Sequence, residues 1–518
     1  MANNNHFNFE TELWQTAVSL RGTVAPAEYK NYVLPLLFMR YLSLRYEQRY
    51  TQLTMELKEP RSPYYTGDAE MDAVILNDPA EYASQNVFIV PEEAKWSYLR
   101  SQARADDIKL KLDQAMRKLE ESQPKLNGLL PPIYARSNLS VDQVAGLINL
   151  FSKDMFSRPD GSDLLGRAYM YFIANFASTE GNRGGEFFTP QAIVKLLVAM
   201  LAPSRGIVFD PAAGSGGMFI QAEAFTENRH SLSFYGQESI ETTLRLGKMN
   251  LMMHGLDGDI KLGNSLLNDQ FPALRANYII SNPPFNMESW GADKLDDKDA
   301  RLNIGYQKGQ VTNGNANTMW MMHYLYHLAD GGTAGFVMAN GAMTTNQSAE
   351  KHDRKALIEE GFVDCIAQLP DKLFPSTGIP CCLWFLSKNR AGTHGYRARR
   401  EEILFMDARQ MGEMLSRRQR TLTDADIQKM AGVYQAYRQP GQALPDEAGF
   451  CKVATLAEVR GHDYKLTPGI YVGTQADDDE AEPFEEKMPR LTEELRGLFA
   501  RSDELQGAIL ADLEGLTL

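Results

Sequence analysis

The sequence is poor in the features that would place a protein in a membrane or outside the cell. Only four cysteines occur in 518 residues, and Cys365, Cys381, Cys382 and Cys451 lack the paired spacing of a zinc ligand set. Adjacent Cys381 and Cys382 make a poor disulfide framework, so the expectation is reduced thiols, no metal and a cytoplasmic setting. No apolar run approaches the roughly 20 residues that span a bilayer, so no membrane segment is expected. The opening Met1-Ala2-Asn3-Asn4-Asn5-His6 lacks the basic and apolar parts of a secretory signal. Nor is there a surplus of positive charge. Lys and Arg number 53 against 67 Asp and Glu, a formal net charge of −14. That balance argues against a chain that grips a polyanion unaided. The local basic clusters, Arg397–Arg400 and Arg417–Arg420, read first as solvated faces.

The length exceeds what one core serves, and the apolar patterning divides it in three. Leu34, Leu37, Phe38, Tyr41 and Leu42 recur at helical spacing, as do many apolar residues up to about residue 120 and again over Val141–Phe156. Residues 1–165 therefore read as helical. Strand–helix alternation begins near Ile207, after one leading helix, and makes 166–472 an α/β domain. Within it, the glycine- and asparagine-rich stretch Gly305–Asn317 reads as a mobile loop. The remaining residues, 473–518, hold an acidic linker, Asp477–Glu486, and an apolar stripe of Leu491, Leu495, Leu498, Leu505 and Ile509 on a last helix. That helix docks either on its own domain or on a partner.

The most informative residues are Asn282-Pro283-Pro284-Phe285. They follow the apolar run Tyr278-Ile279-Ile280 and Ser281, a buried strand that the prolines must end. Open α/β sheets bind ligands at the carboxyl ends of their strands. There the Asn282 amide oxygen and the Pro283 carbonyl can each accept an N–H, while Phe285 offers a ring face. The set suits a planar base with an exocyclic amine, and stacking supplies roughly 1–3 kcal/mol. The plainer alternative is a proline turn with Phe285 as core filler.

Upstream, Ile207–Phe209 runs into Asp210-Pro211-Ala212-Ala213-Gly214-Ser215-Gly216-Gly217 and then a helical pattern. Glycines at 214 and 216 permit positive φ and a close ligand, and free N–H groups at the new helix favour a carboxylate. A second strand, Leu232–Tyr235, leads to Glu238, placed to accept from a ribose diol. A dinucleotide fold shares this pattern, but the spacing Gly214-x-Gly216-x-x-Phe219 lacks its third glycine. A further segment, Gly184-Gly185-Glu186-Phe187-Phe188-Thr189-Pro190-Gln191, precedes both. Thr189 reads as a helix N-cap with Pro190 first in the helix, and the segment as a lid over a cofactor.

In this order the elements resemble the gamma class of S-adenosylmethionine-dependent amino-methyltransferases acting on DNA. The closer resemblance is to the modification subunit of type I restriction–modification systems. It extends to Lys248-Met249-Asn250-Leu251 with His254-Gly255-Leu256, to Phe336–Gly341, and to Leu369-Pro370 with Phe374 and Thr377-Gly378-Ile379. The N-terminal Trp14, Leu20-Arg21-Gly22 and Tyr32–Tyr41 run is similar too. The resemblance implies a Rossmann-like methyltransferase sheet with helices on both faces, an N-terminal all-helical domain and a C-terminal helical tail.

It further implies S-adenosyl-L-methionine held by Glu186, Phe187, Phe188, Thr189, Pro190, Gln191, Asp210, Ala212, Gly214, Ser215, Gly216, Gly217, Glu238 and Asn264. Asn264 stands where the family often has an acid, and would meet the adenine of the cofactor as a neutral group. Asn282, Pro283, Pro284 and Phe285 would be catalytic, methylating N6 of an adenine flipped from double-stranded DNA. The implied partners are a specificity subunit that reads sequence, a restriction subunit and a second copy of this chain. N4-cytosine methylation, a non-catalytic scaffold in a DNA-processing complex, and RNA or protein-glutamine methylation are the alternatives.

Overall fold

A computed structural model of the chain describes residues 13–14, 28–179, 188–228, 230–374, 378, 380–473 and 484–515. The first half is helical because its apolar residues keep a helical period. Helix α1 (Tyr29–Lys58) buries Val33, Leu34, Leu37, Phe38 and Tyr41. Helix α2 (Ile108–Ser122) buries Ile108, Leu112, Ala115, Met116 and Leu119, spaced three and four apart. Helix α3 (Val141–Phe151) starts at a reciprocal Ser140–Gln143 capping box. It stops short of the expected Phe156; a single 3-10 turn, Asp154–Ser157, follows instead. Helix α4 (Gly161–Thr179) runs through residue 165, because the apolar period of Leu165, Tyr169, Phe172 and Phe176 does not break there.

Next come α5 (Gln191–Leu201), β1 (Gly206–Asp210), α6 (Gly217–Phe225), β2 (Leu232–Glu238), α7 (Glu241–Met253), β3 (Gly258–Leu262) and β4 (Ala276–Ser281). The chain continues through α8 (Asn317–His327), β5 (Leu328–Ala339), α9 (Ser348–Glu359), β6 (Val363–Gln368) and β7 (Cys381–Ser387). It closes the sheet with β8 (Glu402–Asp407), α10 (Asp424–Arg438), β9 (Asp446–Glu447) and β10 (Cys451–Thr455). The ten strands lie in the order β9-β10-β8-β6-β7-β5-β4-β1-β2-β3. Strand β1 pairs in parallel with both β2 and β4, so the winding reverses beside it. Strand β7 is antiparallel to both its neighbours.

Strand residues alternate between two cores. Val208, Ile280, Val337 and Leu383 face α5 and α10, whereas Phe209, Ile279, Phe336 and Trp384 face α8 and α9. The same period sends Cys381 and Cys382 to opposite faces, and all four cysteines are free and buried.

The stretch expected to be a mobile loop, Gly305–Asn317, is instead strapped down. It continues a small hairpin pairing Asn303–Ile304 with Gln307–Lys308, and its asparagines bond the backbone after β4. The Asn313 side-chain oxygen accepts from Gly291 N (3.0 Å) and Ala292 N (2.7 Å), and that of Asn317 from Asn286 N (3.1 Å). Asparagine reads as loop chemistry in sequence, yet here the amides do the fastening.

Residues 473–518 form a separate unit, within which helix α11 spans Phe484–Gly515. Its Leu491, Leu495, Leu498, Leu505 and Ile509 are all exposed. Among the described residues no helix is long and apolar enough to cross a membrane.

Candidate functional site: a cavity at the ends of β1 and β4

Strand β1 delivers Asp210 into the glycine turn. Its Oδ1 accepts from Ser281 Oγ (2.7 Å) and Ala212 N (3.0 Å). Burial, reinforced by the charge of Glu238, outweighs those bonds and raises the carboxyl to about 7. Strand β2 runs on to Glu238, whose Oε2 accepts from Gly214 N (3.0 Å) and Oε1 from Ile240 N (2.9 Å). Burial raises this carboxyl as well. Neither acid has an ion-pair partner among the described residues.

The turn needs its glycines. Gly214 and Gly216 have φ of 53° and 76°, and Gly216 is the N-cap of α6. Helix α7 presses against the turn so closely that a Cβ on Gly247 would sit 2.8 Å from Gly214 O. Asn250 locks the contact, donating from Nδ2 to Ser215 O (2.7 Å).

At the end of β4, Asn282 is 8% exposed, and its Nδ2 donates to Thr189 Oγ1 at 3.0 Å. Its Oδ1 is buried and has no hydrogen-bond partner. The expected N-cap role of Thr189 is not what the structure shows. Helix α5 begins at Gln191, and the cap is Pro190, with φ −52°, ψ 134° and no side-chain bond. Thr189 lies one residue too early to cap, and its hydroxyl turns to Asn282 instead. Phe285 is half-buried, with its ring set at 84° to Phe374 and 6.2 Å away.

A cavity of about 730 Å³ gathers Phe188, Thr189, Pro190, Gln191, Asp210, Ala212, Gly214, Ser215, Gly217 and Asn282 along its wall. Glu238, which accepts from Gly214, does not itself line the cavity, nor do Gly216, Pro283, Pro284 and Phe285. Asn264 is not brought to the cavity. It is exposed, and its Oδ1 accepts from Leu266 N (3.0 Å) and Leu267 N (3.2 Å), which spends its acceptor on a local turn. Glu186 and Phe187 fall outside the described residues, as do Leu20–Gly22, Thr377 and Ile379.

Three parts of the wall were not read from the sequence as site residues. Helix α4 of the helical region contributes Arg167, Met170, Tyr171, Ala174 and Asn175. The residue that ends α7, His254, also contributes; its Nδ1 lies 2.9 Å from Asn250 O, and burial lowers its pKa. A hairpin at 413–421 contributes Leu415, Gln419, Arg420 and Thr421. Of these, only His254 left a signal, as part of a motif four residues after Asn250.

Asp269, His323 and His327 lie within ligand distance of one another beneath the sheet. Arg301 Nη1 stands 3.3 Å from His323 Nδ1 and can only donate to it. The proton of the neutral His323 ring then sits on Nε2, which cannot ligate a metal, and the guanidinium repels a cation.

Residues 160–480 match the family model for N-6 DNA methylase, and residues 9–153 that for the HsdM N-terminal domain. The chain is 38% identical to the type I restriction enzyme MjaIX methylase subunit of Methanocaldococcus jannaschii, over 100% of this chain and 93% of the relative. It is 40% identical to the HindI methylase subunit of Haemophilus influenzae, over 78% of this chain and 92% of the relative. The crystal structure of a type I restriction-modification system methyltransferase subunit from Streptococcus thermophilus has the same fold. It aligns with a TM-score of 0.77 at 24% identity, over 90% of this chain and 100% of the other. The chain is thus a member of the N-6 DNA methylase family, a methylase subunit of the type I restriction–modification kind.

Proposed function

We propose that this chain transfers the methyl group of S-adenosyl-L-methionine to N6 of an adenine flipped out of double-stranded DNA. The observation that carries the reading is the orphaned Asn282 Oδ1, buried at the cavity wall and fixed in direction by the bond to Thr189. A buried acceptor without a donor costs about 1–3 kcal/mol, and an exocyclic amine would satisfy it.

The residues fit the cofactor. Asp210 and Glu238 are buried acids without counter-cations among the described residues, suited to an ammonium and a ribose diol respectively. The glycine turn leaves room for the backbone to approach. When bound, the cofactor supplies a methyl group on a cationic sulfur.

The chain's own residues prepare the amine. Its lone pair is delocalised into the base, and acceptors at Asn282 Oδ1 and the Pro283 carbonyl draw it out of the plane. They also stabilise positive charge as it grows on nitrogen. Asn282 is neutral, so the proton leaves to water afterwards. Phe285, braced by Phe374, holds the ring in line.

The net charge of −14 supports a division of labour in which a specificity subunit supplies most of the grip on DNA. The exposed stripe of α11 is the docking face we assign to that subunit. A restriction subunit and a second copy of this chain complete the assembly, which acts in the cytoplasm. We read 1–165, 166–472 and 473–518 as the helical, catalytic and docking parts.

Asn282→Ala tests the reading in a complex assembled with the specificity subunit. Methyl transfer should fall about 10²–10³-fold or more, with S-adenosylmethionine affinity by calorimetry nearly unchanged. Full transfer by the variant, or N4-methylcytosine as the wild-type product in nucleoside mass spectrometry, would overturn it.

A further inference from the structure

The hairpin at 413–421 is fastened at both its tip and its root. Glu413 pairs with Thr421 and Met414 with Arg420. The tip is closed by Leu415 N donating to Gln419 O (2.9 Å) and Gln419 N to Ser416 Oγ (3.1 Å). The root is fastened. Arg420 donates from its backbone N to Lys372 O (2.9 Å) and from Nη1 to Met411 O (2.9 Å). Gly412, at φ 82°, lies so near the returning strand that a Cβ would meet Thr421 O at 2.4 Å. Two residues beyond the hairpin, Thr423 begins α10 with a capping box.

What this rigid stem holds out is unusual. Leu415 is 59% and Met414 44% exposed, and Arg417 and Arg418 are exposed with no ion pair among the described residues. Three arginines stand against one glutamate in a chain of net charge −14. The hairpin also walls the cavity at whose edge Asn282 waits, through Leu415, Gln419 and Arg420.

A base drawn into that cavity leaves a hole in its duplex, and an apolar side chain entering the stack fills it. We propose that this hairpin is the chain's own DNA-engaging element: Arg417 and Arg418 hold backbone phosphates beside the target, and Leu415 occupies the space the flipped base vacates. The inference rests on the function proposed above and adds to it the residues that make flipping possible. Rigidity at the root and exposure at the tip are what a wedge requires, since a floppy apolar tip would fold back onto the protein.

The test uses the complex with its specificity subunit and a duplex containing the target adenine, located beforehand by sequencing modified bases in host DNA. For Leu415→Ala, methyl transfer to the matched duplex should fall at least about tenfold. It should recover to within about twofold when a mismatch opposite the target lowers the cost of flipping. Cofactor affinity, read by calorimetry, separates a wedge from a wall. Equal loss on both duplexes, or a loss explained by weaker cofactor binding, overturns the role of Leu415.

For Arg417→Ala with Arg418→Ala, the slope of log affinity against log salt should shrink by about two. An unchanged slope overturns the phosphate contacts. Variants that match an active wild type refute the hairpin alone, whereas a wild-type complex that methylates no adenine refutes the function and the hairpin together.

Discussion

Asp210 and Asp364 are both buried aspartates on parallel strands of one sheet, and their surroundings are opposite. Asp364, on β6, accepts from Arg399 Nε (2.8 Å), Arg399 Nη2 (3.0 Å) and Tyr434 Oη (2.8 Å), with Arg390 at 3.2 Å. Burial alone would raise its carboxyl, but the arginines outweigh burial and hold it down to about 2. Asp210, on β1, has a serine and a backbone amide but, among the described residues, no cation, and sits at about 7. Where the chain supplies the counter-charge, a buried acid is architecture. Where it does not, a ligand can bring one, the role proposed above for Asp210.

The comparison can be broken from either side. The largest effect is expected at Arg399. Arg399→Met removes the two-point partner of buried Asp364, leaving it Arg390 and Tyr434, and should cost about 3–5 kcal/mol in denaturant unfolding. Survival at wild-type stability would mean that the network is dispensable.

Asp210→Asn should do the reverse to the ligand-free protein. An unfolded aspartate ionises near 3.8 and the folded Asp210 near 7, so its contribution to stability erodes as pH rises between those values. Asp364 acts oppositely, stabilising above 3.8 and losing its effect as pH falls towards 2. At pH 8 the Asp210→Asn protein should therefore be more stable than wild type, by up to about 4 kcal/mol, yet bind S-adenosylmethionine more weakly. In the wild type, cofactor affinity should rise with pH through about 7 as Asp210 ionises. A flat affinity profile would remove Asp210 from the cofactor's cation.

The smallest effect sharpens the contrast. Arg417→Ala with Arg418→Ala should change unfolding stability by no more than about 0.5 kcal/mol, since neither side chain is paired among the described residues.

That last pair shows what a sequence conceals. Arg397–Arg400 and Arg417–Arg420 look alike in composition, and both read as solvated faces. Arg399 is instead 2% exposed against Asp364, a partner 35 positions away, whereas Arg417 and Arg418 do stand in water. Composition is local and pairing is not. The turn at Asn282–Phe285, the glycines at 214 and 216 and the acid at 238 were legible because each is a local demand on backbone or chemistry. The alternating α/β pattern was legible for the same reason. The Thr189–Asn282 bond spans 93 positions, and the cavity wall drawn from α4 belongs to a helix whose apolar period announces only a core. Asn264 was picked out by its place in a motif, and its amide oxygen is taken up by the turn that follows it.

Helix α4 carries one more consequence. Its Tyr169 donates to Leu246 O (3.0 Å), its Met170 sulfur accepts from Asn250 (3.2 Å), and Leu246, Met249 and Met253 of α7 share a core with Phe38 and Phe151. The helical half and the sheet are thus not beads joined by a string but two halves of one mould. A helical domain borrowed from a relative would import its own side of the cavity. Chimeras of such subunits would then join at a shared core as well as a shared cavity wall, and their seam should show in unfolding stability too.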